Sequence, residues 1–183
     1  MKRRYGVVSI VVILAALLAV GATFAWIVAT THPVVNTFTV GNICISLNES
    51  TGDCYRLVPG IRLAKDPTVT VKADSESCWL FFRMEKVGDP DTYLTYAVAE
   101  GWTALPGVDE VYYRQVAAAE ADIAFPLLQN DAVTVKETVT EEMLDSLSAT
   151  PKMTFYAYAI QAQGLESVEL AWQNLQASEV SVR

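Results

Sequence analysis

The sequence repeatedly alternates apolar and polar residues with a period of two, which is the pattern of strands with one face in a core. In the longest such run, residues 78–87 (CWLFFRMEKV), the even-numbered residues 78–84 form one face and the odd-numbered residues 79–85 the other. Residues 68–73 (TVTVKA) and 152–160 (KMTFYAYAI) alternate in the same way. Further strands are predicted at 37–47, 94–99, 110–116, 122–128 and 132–139. Several short strands separated by turn signals predict an all-β domain built as a β-sandwich.

The apolar face changes parity near the start of this pattern. Phe38 and Val40 are even-numbered, whereas Ile43, Ile45 and Leu47 are odd-numbered. A one-residue shift of this kind predicts a bulge or a bend at positions 41 and 42.

Two short helices interrupt the strands. Thr140 is followed by two glutamates, a combination that suits the first turn of a helix. Ser167 is the predicted cap of a second helix, which carries Val168, Ala171, Trp172 and Leu175 on one stripe. An apolar stripe of this kind is typical of core packing.

The N-terminal residues have the properties of an export signal. A cationic start (MKRRYG) precedes the apolar run Val7–Val20 and then small residues. A cut after Ala25 would place Thr23 and Ala25 where a signal peptidase reads small side chains, and Trp26 would begin the mature chain. A cut after Ala22 is the second possibility.

The same region also fits a membrane helix. Residues 7–29 carry no charge, and at ~1.5 Å rise per residue they can span a ~30 Å hydrocarbon core. Cations before this run would leave residues 30–183 outside the cell. Residues 1–25 as a signal peptide and residues 7–29 as an anchor therefore both predict an extracellular domain, secreted in one case and membrane-anchored in the other.

Charge and motifs exclude several classes of function. The net charge is -8, and without residues 1–25 ten Lys and Arg would face 21 Asp and Glu, so nucleic-acid binding is not expected. The single histidine, His32, is not part of an HExxH motif, and the chain has no GxSxG or phosphate-binding loop. We therefore predict no enzyme activity, no catalytic or metal-ligating residue and no cofactor. Asp89 and Asp91 could share a calcium ion but lack the spacing of a known calcium loop, so a solvated turn is the preferred interpretation.

Three cysteines leave two alternatives. A bridge between Cys44 and Cys54 is possible in an exported protein, with Cys78 left as a thiol. The alternative is that all three are small apolar side chains without a bridge.

Several segments resemble one family of exported proteins from Gram-positive bacteria. The N-terminus up to GATFAW resembles signal peptides cut by the SipW-type signal peptidase. The segments NTFTVGNICISLNE (36–49) and PGIRLAKDPTVTVKADSESCWLFFRME (59–85) resemble the TasA/camelysin group, as do GWTAL, VYYR and FYAYAIQ farther along. The resemblance implies a jelly-roll-like β-sandwich at residues 38–183, cleavage near Ala25, and assembly into extracellular biofilm fibres. Camelysin members are described as metalloproteases, an activity for which this sequence has no metal motif.

Strand donation between subunits also has a physical rationale. Residues 26–37 are uncharged and rich in apolar and β-branched side chains, among them Trp26, Ile27, Val28, Val34 and Val35. An extended segment of this kind can pair with an open sheet edge, and head-to-tail pairing gives filaments. We therefore expect a cell-surface or biofilm-matrix structural protein whose partners are itself or related matrix proteins, besides the SipW-type peptidase and, before processing, the membrane. The alternative is a membrane-tethered binding module, and a metalloprotease is the third possibility.

Overall fold

The secondary structure of the chain is mostly β. The computed structural model describes residues 37–40, 42–51 and 55–180, which belong to one unit of the chain, His32–Arg183. Within these residues the strands are β1 (Thr37–Val40), β2 (Ile45–Asn48), β3 (Arg62–Ala64), β4 (Thr68–Val71), β5 (Cys78–Val87), β6 (Leu94–Thr95), β7 (Thr103–Ala104), β8 (Val111–Val116), β9 (Ile123–Pro126), β10 (Ala132–Val135) and β11 (Lys152–Gln161). The helices are α1 (Pro90–Tyr93), α2 (Glu141–Asp145) and α3 (Val168–Val180).

The strands form three open sheets. The largest has the order β1-β11-β5-β8-β7, and the two smaller ones have the orders β3-β10-β6 and β2-β4-β9. Neighbouring strands are antiparallel except for β1, which runs parallel to β11. One core of buried side chains is shared by all three sheets, with contributions from Val71 of β4, Phe82 of β5 and Val133 of β10. The predicted all-β class is confirmed, and the packing of open sheets on a common core is consistent with a β-sandwich.

The two faces of β5 and β11 are those that the alternation predicts. The even-numbered residues 78–84 lie in the shared core, and Phe155, Ala157 and Ala159 of β11 join them. The opposite face is covered by α3, where the Trp172 ring centroid lies 5.3 Å from that of Phe81 and 5.5 Å from that of Tyr158. The five-stranded sheet therefore packs against buried side chains on both of its faces.

Both predicted helices are present, with the predicted caps. The Thr140 side chain accepts a hydrogen bond from the backbone N–H of Met143, and Ser167 Oγ accepts one from Leu170. The stripe of α3 that was predicted to be apolar is buried. The short helix α1 was not predicted, because Gly88 and Pro90 indicate a turn. Pro90 instead occupies the first turn of α1, where its missing N–H leaves no helical hydrogen bond unmade.

The parity change near residues 41 and 42 marks a change of sheet. β1 belongs to the five-stranded sheet and β2 to the sheet with β4 and β9, and Asn42 between them is in a bend. The predicted bend is confirmed. Its physical reason is that the chain must turn from one sheet to another between Val40 and Ile45.

A buried ion pair connects the segment after β2 to the end of β3. Lys65 is 8 % exposed, and its Nζ lies 2.8 Å and 3.1 Å from the two carboxylate oxygens of Glu49. The same ammonium lies 5.5 Å from the Phe155 ring centroid and 5.7 Å from that of Tyr55. This charge therefore sits against the core with a single carboxylate to balance it.

The neighbouring Asp66 holds the same segment through several hydrogen bonds. Its carboxylate accepts from the hydroxyls and the backbone N–H groups of Ser50 and Thr51. These donors, the Ser50 hydroxyl first, lower the pKa of Asp66 to about 2.

We expect Asp66 to make stability depend on pH in the acid range. Because its pKa is lower in the folded chain than in the unfolded one, its contribution is present above about pH 4 and is lost as the pH falls toward 2. The urea midpoint should therefore fall over this range, and Asp66→Asn should reduce that fall. Equal pH dependence in the two proteins would contradict this assignment.

Candidate functional site at the edge of the five-stranded sheet

The outer edge of β11 is the place where the N-terminal part of the chain meets the domain. β11 pairs with β5 along all ten residues of its inner edge. On its outer edge, β1 pairs with it over four residues, from Thr37 beside Ala157 to Val40 beside Ile160. Among the described residues, no strand pairs with Met153–Tyr156 on that side. On this edge the described strand β1 therefore covers residues 157–160, and no described strand covers residues 153–156.

Side chains around this edge are already well packed on the core side. Phe155 is 6 % exposed, so a strand added beside it would gain mainly backbone hydrogen bonds. On the opposite face, the Tyr156 hydroxyl donates to Glu85 Oε2 at 2.8 Å, and Arg83 Cζ lies 5.0 Å from the Tyr156 ring centroid. The bond to Glu85, followed by burial, raises the pKa of the Tyr156 hydroxyl. The edge can therefore serve as a strand-binding site with one apolar and one polar face.

The predicted donor segment lies almost wholly outside the described residues. Thr37, its last residue, begins β1 and pairs within its own chain. Outside the described residues lie the cleavage positions Thr23, Ala25 and Trp26, the donor candidates Ile27, Val28, Val34 and Val35, and the membrane span predicted at 7–29. The cleavage site, the donor strand and the membrane span stay predictions.

The acidic turn at Asp89 and Asp91 is occupied by protein donors. Lys86 Nζ lies 2.8 Å from Asp91 Oδ2 and 2.6 Å from Glu110 Oε1, and the Tyr96 hydroxyl donates to the other oxygen of Asp91. Asp89 accepts a hydrogen bond of 2.6 Å from the Thr92 hydroxyl. Since the Lys86 ammonium supplies the positive charge here, the arrangement favours the interpretation as a turn. In the part of the chain that the structure describes, no group of three or more His, Cys, Asp or Glu is placed to hold a metal ion.

The ion pairs of Lys86 also change its proton affinity. Partial burial works to lower the pKa of Lys86, but the hydrogen bonds to Asp91 and Glu110 outweigh it and raise that pKa. The hydrogen bonds from Lys86 and then Tyr96 lower the pKa of the Asp91 carboxyl. The Lys86–Asp91 pair therefore stays charged across the physiological pH range.

The two described cysteines have different surroundings. Cys44 is exposed and is bonded to no described cysteine, while Cys54 lies outside the described residues, so the Cys44–Cys54 bridge stays a prediction. Cys78 is fully buried on the core face of β5, and burial raises the pKa of its thiol to about 11. Its role is that of a small core side chain.

Three features near these sites were not predicted. The parallel pairing of β1 with β11 joins residues far apart in the chain. The burial of Lys65 and the position of Arg114 against Trp102 and Phe125 were also missed. The signal available for Arg114 was its place in β8, since an arginine at a core-facing position of an alternating strand needs an aromatic or acidic neighbour.

Comparisons with family models, curated proteins and solved structures find no match to this chain. Within the described residues, none of the helices has the length and apolar character needed to cross a membrane.

Proposed function

We propose that this protein is an exported structural subunit that assembles into extracellular fibres by exchanging its N-terminal strand. The observation that carries the proposal is the parallel pairing of β1 with residues 157–160 on the outer edge of β11, an edge on which no other described strand lies. A strand that kept this register toward the N-terminus would set Val35 beside Phe155 and Val34 beside Thr154. The rest of the proposal, including the jelly-roll-like form of the sandwich, rests on the resemblance of several segments to the TasA/camelysin group.

The connection after β1 supports exchange between subunits. The chain leaves the five-stranded sheet after Val40 and joins another sheet at Ile45. Opening this short connection would let β1 leave its own β11 and pair, together with the residues before it, with the β11 of a neighbour in the same register. Such an exchange replaces contacts within one chain by equal contacts between chains. Because the donor and acceptor surfaces differ, the assembly does not close and grows as a filament.

Sedimentation and electron microscopy of residues 26–183 test the proposal. We expect ordered filaments in the pellet at near-neutral pH, whereas residues 38–183, which lack the donor segment, should remain a folded monomer. Polymerisation of the shortened chain would place the donor elsewhere. A persistent monomer of residues 26–183 would instead favour the alternative function, a tethered or secreted binding module.

A matched pair of substitutions separates strand exchange from nonspecific association. Val35→Asp places a charge in the proposed donor strand and should prevent filaments. Val58→Asp makes the same change at a valine that is already 41 % exposed and should leave filaments intact. Equal effects of the two substitutions would argue against a specific donor strand.

A further inference from the structure

The guanidinium of Arg114 packs against aromatic rings at the side of the sandwich. It lies on β8 opposite Leu80 of β5, so its side chain shares the face that looks into the shared core. Its guanidinium carbon is 4.0 Å from the Phe125 ring centroid and 5.3 Å from the Trp102 ring centroid. Trp102 in turn packs edge-on against Phe82, with 4.8 Å between centroids. The aromatic rings therefore restrict the guanidinium to one position.

This guanidinium has no anionic partner among the described residues. Carboxylates lie within ion-pair distance of Lys65, Lys72 and Lys86, and none of the described ones does so at Arg114, although the chain carries 21 acidic residues. Arg114 Nε is buried and has no hydrogen-bond acceptor. Partial burial also lowers the pKa of Arg114, because no carboxylate offsets its desolvation. A partly desolvated guanidinium without an anionic partner is stabilised when a carboxylate binds it.

The backbone at Gly101 lies close to one side of the guanidinium, while Arg114 as a whole is half-buried. A side-chain carbon added at Gly101 would lie 3.1 Å from one terminal nitrogen of the guanidinium, and Gly101 has a φ of +84°. Glycine at this position therefore allows the backbone to lie close to the guanidinium without pressing on it.

The edge of β9 next to Arg114 offers backbone groups to a ligand. β9 is the last strand of its sheet and pairs only with β4 among the described strands. Trp102 Nε1 donates to the Pro126 carbonyl at 2.9 Å, so that carbonyl points away from β4. Because backbone groups alternate in direction along a strand, the N–H and C=O of Ala124 point the same way. An outward donor and acceptor thus lie on the strand that also supplies Phe125.

We propose that Arg114 and the outer edge of β9 bind an extended acidic peptide, with the guanidinium receiving a side-chain carboxylate and Ala124 pairing with the peptide backbone. The backbone pair is what favours a peptide over an acidic polysaccharide, which has no matching N–H and C=O. The site combines Arg114 of β8 with the outer edge of β9 and uses no residue of β1 or β11, so it does not depend on strand exchange at β11.

Fluorescence anisotropy with three labelled probes tests this assignment on the full chain in a non-ionic detergent. The probes are the blocked peptides Ac-VEVEVE-NH2 and Ac-VQVQVQ-NH2 and a labelled oligogalacturonate. We expect the acidic peptide to bind and the neutral peptide to bind at least about tenfold more weakly, since a charge-assisted hydrogen bond is lost. Binding of oligogalacturonate in preference to the acidic peptide would overturn the peptide assignment.

Two substitutions locate the binding on the protein. Arg114→Gln should weaken binding of the acidic peptide at least about tenfold. Arg62→Gln removes the same charge from an exposed arginine on β3 and should have no effect beyond about twofold. If Arg114→Gln does not fold, Arg114→Lys keeps the charge but loses the planar fork, and weaker binding is again expected. Equal affinity of the wild-type protein and the Arg114 variants would overturn the proposal, as would amide NMR shifts that spare Ile123–Phe125.

Discussion

Replacing Lys65 by alanine is expected to lower the free energy of unfolding by about 3–5 kcal/mol, because it leaves the Glu49 carboxylate largely buried without its cation. The side chain of Glu49 is 17 % exposed and that of Lys65 is 10 % exposed, so water can replace little of the lost attraction. The substitution also removes the ammonium contacts with Tyr55 and Phe155. Urea unfolding of residues 38–183, the form expected to be monomeric, measures the change.

Two further variants separate the buried charge from other causes. Lys72→Ala breaks the exposed pair with Asp122, whose side chains are 40 % and 53 % exposed, and should cost less than about 1 kcal/mol. The double change Lys65→Met with Glu49→Gln removes both charges and should recover most of the loss. If the double variant is as unstable as Lys65→Ala, the loss comes from packing and not from an unpaired charge.

Gly88→Ala should destabilise the domain by about 2–5 kcal/mol through two additive causes. Gly88 has a φ of +67°, a left-handed conformation that costs an L residue roughly 1–2 kcal/mol. The added carbon would also lie 2.7 Å from the Ala149 carbonyl oxygen and 2.8 Å from that of Thr150. These are backbone atoms, so the chain before β11 would have to shift, at a cost of about 1–3 kcal/mol.

Gly107→Ala is the matched control for the contact with the backbone. Gly107 has a similar φ of +73°, but an added carbon there meets nothing within 4 Å. It should therefore show only the conformational part, about 1–2 kcal/mol. Thermal or urea unfolding compares the two variants. Equal losses of unfolding free energy would mean that the backbone at residues 149–150 moves away from the added carbon at no cost in stability.

The residues that face the core could be predicted because the alternation is a local property. Successive residues of β5 and β11 point to opposite faces of the sheet. The pattern alone therefore assigns Phe82 to the shared core and Phe81 to the opposite side. The caps of α2 and α3 were predictable for the same reason, since Thr140 and Ser167 act on N–H groups three residues away. The short strands β3 and β7 were missed because two or three residues cannot show a period.

The features that carry the proposed functions depend on contacts distant in sequence. Thr37 pairs with Ala157, 120 positions later, and no local pattern encodes that the pairing is parallel. Lys65 is buried because Glu49 and Phe155 come together around it. The local sequence, a lysine between Ala64 and Asp66, would instead predict an exposed side chain. Arg114 likewise meets Phe125 from another sheet. Sequence patterns predicted Thr37 and Arg114 as parts of strands, but not the partners of any of these three residues.

The position of β11 between β1 and β5 has a consequence for the time at which the domain can form. The strand that lies at the second position of the largest sheet is the last strand along the chain, and α3, which covers that sheet, follows it. Until residue 161 is available, β5 lacks its longest partner, and Phe81 lacks its cover until α3 follows. Contacts between distant parts of a chain also make folding slow. A chain made from its N-terminus therefore carries β1 without a partner until the edge of β11 exists.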